Sequence, residues 1–158
     1  MSERAQTLAD LIQAFNDAVI AFVDRCPEKA WQQTCRDEDW TVGVVARHLA
    51  AGHFQVIKMA QVMLQGESLP ALTMEQVIEQ GNTHARDHAD CTREDVKALL
   101  AENGDAAVAF VANLSDEELD CKGHLDLMGG EVSVEQLLDL VIIRSGGAHL
   151  ASMQATIG

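Results

Sequence analysis

Trp40-Thr41-Val42-Gly43-Val44-Val45-Ala46-Arg47-His48-Leu49 joins a helix-start signal to a helical apolar stripe and sets a histidine against that stripe. Thr41 reads as an N-cap, its hydroxyl placed to accept from a free backbone N–H of the first turn. Val42, Val45, Leu49, Gly52 or His53, Val56, Met59 and Met63 then recur at three- and four-residue intervals, which predicts an amphipathic helix to about Gln65. Gly66 is placed to stop it. His48 lies one turn from Val44, Val45, Ala51 and Gly52, so its ring is directed at or beside the core seam.

Outward from this stretch the chain reads as helix nearly everywhere. Leu8, Leu11, Ile12, Phe15, Ala18, Val19 and Phe22 predict a helix over 4–25 that Cys26-Pro27 ends. Residues 27–40 carry Trp31 and Trp40 among polar residues, a connection whose rings pack over the bundle end. After a loop at 66–71, Thr73-Met74-Glu75-Gln76 matches a capping box and opens a short helix to about Asp90. Thr92 starts another helix with the stripe Val96, Leu99, Leu100, Ala107, Val108, Val111 and Leu114, with a bend expected at Asn103-Gly104. Ser115 begins one further capped turn, and Gly123, Gly129 and Gly130 mark a loop or small hairpin. Ser133-Val134-Glu135-Gln136 caps a last helix carrying Leu137, Leu138, Val141, Ile142, His149, Ser152 and Met153. The expected fold is all-α: one domain over 1–158, a four-helix bundle with an extra short helix in the crossover between helices 2 and 3.

Composition narrows the function classes. The chain has 158 residues, 47% of them hydrophobic, enough for one proper core. With 25 acidic against 11 basic residues and a formal net charge of −14, neither a phosphate backbone nor an anionic membrane is an expected partner. Cys26, Cys35, Cys91 and Cys121 are too scattered for a disulfide scaffold and read as reduced thiols. No basic leader or membrane-length apolar run is present, so the expected location is the cytoplasm.

His149 sits on the last helix in a setting like that of His48. Leu138, Val141, Ser145, His149 and Ser152 fall on one face, with Gly146 and Gly147 before the histidine. A glycine inside a helix costs roughly 1 kcal/mol relative to alanine, so Gly52 and the Gly146-Gly147 pair suggest wanted space or local distortion beside each ring. Two inward histidines from different helices can supply part of a divalent-metal site. The alternative is a pair of core histidines, each bonded to a backbone carbonyl or water. His84-Ala85-Arg86-Asp87-His88 is itself a His-x-x-x-His pair able to clasp a metal from one helix face. Cys121-Lys122-Gly123-His124 lacks the second ligand pair of a structural zinc site.

The run from Trp40 to Leu49, with His149-Leu150-Ala151-Ser152-Met153, resembles the DinB/YfiT-like superfamily, which includes the N-terminal domain of mycothiol-dependent maleylpyruvate isomerases. The likeness extends over nearly the whole chain. It implies a four-helix bundle, often homodimeric, that holds a divalent metal through a second-helix histidine and a pair four apart on the last helix. Carried over, His48 and His149 take two of these positions and the third falls on Ser145, where the chain departs from the pattern. A neutral hydroxyl is a much weaker ligand than imidazole or carboxylate. The substitutes are His53, which is five residues after His48 and so points well off its direction, and His84 or His88 reaching in from the crossover. The resemblance implies zinc or nickel as the ion and a low-molecular-weight thiol as cosubstrate.

Two functions follow. One is a metal-dependent hydrolase or thiol-dependent transferase or isomerase acting on a small molecule. The other, favoured by Ser145, is a non-catalytic homodimeric bundle whose pocket binds a small ligand or simply packs.

Overall fold

A computed structural model describes residues 2–158. Four long helical runs form the bundle. The first is helix α1, Glu3–Arg25, capped by Ser2. A single turn, α2 (Glu28–Trp31), follows it. The second run begins with α3 (Val42–His48), passes through a π-helical turn at Leu49–His53 and a 3-10 turn at Phe54–Val56, and ends as α4 (Ile57–Leu64). The crossover carries α5 (Met74–Asp87), opened by the Thr73–Gln76 capping box. The third run is α6, Arg93–Ala112. After the turn α7 (Asp116–Leu119), strands β1 (Lys122–Leu125) and β2 (Gly130–Ser133) pair antiparallel with Lys122 opposite Ser133. The last run is α8 (Val134–Leu138), a π-helical segment at Asp139–Ser145 and α9 (Gly146–Ile157).

The core lies where these runs meet. Ile12 and Val19 of α1, Val45 and Leu49 of the second run, Leu100 and Ala107 of α6, and Leu138 and Ile142 of the last are all fully buried. The stripe of α1 is centred one residue away from the expectation: Ala5, Ala9, Asn16 and Val23 are inside, whereas Leu11 is 50% exposed. No described helix is long and apolar enough to cross a membrane.

The expected bend at Asn103-Gly104 is absent, and α6 runs unbroken through it. Both residues serve packing instead. A Cβ on Gly104 would lie 2.2 Å from Asn16 Nδ2, so only glycine lets α1 and α6 approach this closely. Asn103 donates from Nδ2 to the Ala50 carbonyl at 2.7 Å and accepts from Gln55 Nε2 at 3.0 Å. The connection before α3 does more than cover the bundle end. Trp31 is buried and donates from its indole N–H to the Cys91 carbonyl at 2.9 Å, while Thr34 and Thr41 form an isolated antiparallel bridge that closes 35–40 into a loop.

Candidate metal centre

Three imidazoles converge inside the bundle: His48 at the end of α3, His53 at the end of the first π turn, and His149 on α9. Their candidate ligand nitrogens all lie within 4.8 Å of one another. The ring centroids stand 4.8 Å (His48 to His53), 5.2 Å (His48 to His149) and 5.0 Å (His53 to His149) apart, each pair nearly perpendicular.

His53 reaches the group because of the π turn. In an α-helix residues five apart diverge, but a π turn takes in one extra residue and pairs i with i+5, stacking His53 on the face of His48. The widened turn also leaves carbonyls for other partners. Ala50 O accepts from Asn103, and Val141 O, in the second π segment, accepts from His53 Nδ1 at 2.7 Å. A carbonyl only accepts, so His53 carries its proton on Nδ1 and presents a bare Nε2, 3.2 Å from His48 Nε2.

His149 is oriented from the loop before α3. Its Nδ1–H donates to Glu38 Oε2 at 2.6 Å, and Ser152 donates to Glu38 Oε1 at 2.6 Å. The Glu38 side chain is only 7% exposed. Asp39 beside it holds a left-handed φ of 59°, the turn that separates Glu38 from Trp40. Trp40 in turn meets the His48 ring edge-on at 5.2 Å.

Burial sets the protonation of these rings. It pushes His48 down to about 3, with its imidazole neighbours adding to the effect. It pushes His53 down to about 4, against the opposing bond to Val141. Both are neutral at pH 7, the form a metal requires.

The remaining candidates fall elsewhere. Ser145 is exposed to solvent, and the third imidazole beside His48 and His149 is that of His53. The expectation that His53 points away assumed α-helical spacing, which the π turn breaks. His84, on α5, has its ring 5.9 Å from that of His48 and 4.9 Å from that of His88. Its Nε2 accepts from Arg47 Nη1 at 2.8 Å, so that nitrogen is taken. Cys121 donates to the Met63 carbonyl and His124 pairs with Asp126, so the Cys-x-x-His pair is split. Of the two uses expected of the glycines, local distortion is the one seen, since Gly52 lies within the first π turn and Gly146 directly follows the second π segment. A Cβ on Gly52 would make only ordinary contact with His48, Gly147 would meet nothing, and Gly146 exists because the Phe15 ring would lie 2.9 Å from its Cβ. Sequence reasoning missed Glu38, which sits in the acidic run Arg36-Asp37-Glu38-Asp39 with no periodic signal. For His53 the signal was present as the His-x-x-x-x-His spacing.

A bundle with three facing imidazoles in its interior is an arrangement that could hold a metal ion. The DinB superfamily profile matches residues 6–143, and the chain belongs to that superfamily. Among solved structures it is similar to YfiT from Bacillus subtilis, described as a probable metal-dependent hydrolase with an unusual four-helix bundle topology, at a TM-score of 0.79 and 20% identity over 99% of this chain and 87% of that one. That likeness carries the fold. No curated protein sequence matches the chain.

Proposed function

We propose that this protein is a divalent-metal-dependent enzyme in which His48, His53 and His149 hold the ion. The observation that carries the reading is the spacing and preparation of the donors. Two ligands on a tetrahedral zinc at 2.0–2.1 Å stand about 3.3 Å apart, and the Nε2 atoms of His48 and His53 are at 3.2 Å. Two of the three rings already have their other nitrogen engaged, His53 by a carbonyl and His149 by a carboxylate, the outer partners that fix ring orientation at metal sites. Imidazole donors suit zinc and nickel among the available ions.

Bound there, the ion would supply Lewis acidity, lowering the pKa of a water or thiol in its open position. The protein's own part is to keep His48 and His53 neutral, to hold His149 through Glu38, and to shelter the site beneath Trp40 and α5. The reaction class is hydrolysis or thiol-dependent transfer or isomerisation of a small molecule, the thiol cosubstrate and a homodimeric assembly resting on kinship. The non-catalytic alternative drew its support from Ser145, and a third imidazole at His53 removes that support.

Metal analysis of tag-free protein after reconstitution tests the reading. One equivalent of zinc or nickel is expected, lost in His48→Ala and in His149→Ala. No retained metal in the wild type overturns it.

A further inference from the structure

We propose that Arg47 and His84 form the substrate-reading rim of this centre and that the substrate carries a carboxylate. The inference deepens the metal-enzyme reading and rests on it for the position of the ion.

Arg47 is half-buried one residue before His48. Like Arg25, Arg36, Arg86 and Arg93 it makes no ion pair among the described residues, and what sets it apart is its place directly beside His48. Its side-chain partner is the neutral ring of His84, through Nη1 at 2.8 Å. A guanidinium carries five N–H donors and no acceptor, so most of its donors stay unused by that bond.

His84 adds a second donor. Because Arg47 can only donate, His84 Nε2 is the accepting nitrogen and the ring proton sits on Nδ1. That atom is buried and has no partner. Beside the imidazole group, at 5.9 Å between the His84 and His48 rings, there are thus donors with no hydrogen-bond partner among the described residues. A ligand that satisfies them brings acceptor oxygens. With a dication in place, Glu38 is bonded to His149 and Ser152 and Asp87 lies toward His84, so neither carboxylate takes up the free donors of Arg47, and an anionic ligand is the complement to the ion and the guanidinium. The planar edge of a guanidinium matches a carboxylate through two parallel N–H bonds.

The test titrates cobalt-substituted protein with benzoate and with its neutral analogue benzamide, reading the visible cobalt bands. Benzoate is expected to bind at least about tenfold more tightly than benzamide, as a charge-assisted bidentate contact requires. Arg47→Gln erases the preference and leaves the ligand-free cobalt spectrum unchanged, while Arg47→Lys keeps part of it. Equal binding of the two probes by the wild type, or an undiminished preference in Arg47→Gln, overturns the proposal. Should cobalt not bind, the metal reading falls and metal-free protein decides this one. Shifts of the Arg47 side-chain resonances with benzoate and not with benzamide then support it, and their absence overturns it.

Discussion

Glu38 is the residue on which the geometry of His149 depends. Its two oxygens accept from His149 and Ser152, and its carboxylate is almost wholly enclosed. Glu38→Gln keeps an acceptor for the Nδ1–H but removes the charge, so we expect metal affinity to fall about 10–100-fold with little change in helicity. Competition titration against a chromophoric chelator measures this. His53→Ala removes a donor and leaves the Val141 carbonyl without its partner, and loss of stoichiometric metal binding is expected. Ser145→Ala leaves affinity within error of the wild type, because the serine is exposed and its neutral hydroxyl is a much weaker ligand than the three imidazoles. None of these roles was readable from residue type alone: Glu38 is one of 25 acidic residues, distinguished only by where the loop before Trp40 returns.

At the level of single elements, helix existence was legible because each long run has an apolar period and a cap. Thr41, Thr73, Ser115 and Ser133 all accept from the backbone as their sequence context predicts. The π turns were not, since an inserted residue leaves composition and hydrophobicity unchanged while altering every direction after it. His53 was therefore placed a fraction of a turn from where it lies. The first π turn depends on Asn103, whose amide satisfies Ala50 O. Asn103→Ala strands that carbonyl at a cost of about 1–3 kcal/mol, measurable by urea denaturation. If the turn relaxes toward α-helical spacing, His53 swings off the site, so metal affinity falls more than about tenfold while circular dichroism changes little.

For the whole molecule, the buried histidines set an acid limit. Their folded values, about 3 for His48 and about 4 for His53, lie below the ordinary value of 6.5, so between these limits the unfolded chain binds more protons. Their contribution to stability is complete above pH 6.5 and is lost as pH falls toward 4 and 3. Thermal denaturation of the metal-free protein is expected to show a lower Tm at pH 5 than at pH 7.5, with a shallower dependence in the His48→Phe/His53→Phe double variant. The bundle and its crossover helix were legible from patterning across the chain. The meeting of His48 and His149 was expected from their inward placement and from the family resemblance, and their rings stand 5.2 Å apart; the direction of His53 and the part of Glu38 were not, because they depend on the π turn and on a contact between segments some hundred residues apart.

The clasp from Glu38 to His149 and the tether from His53 to Val141 are made by protein groups alone. Folding has therefore already restricted these side chains, and capture of a cation asks for almost no rearrangement. Loading should then run at the pace of water leaving the ion, with a single kinetic phase and amide resonances that barely shift outside the immediate neighbourhood of the three rings.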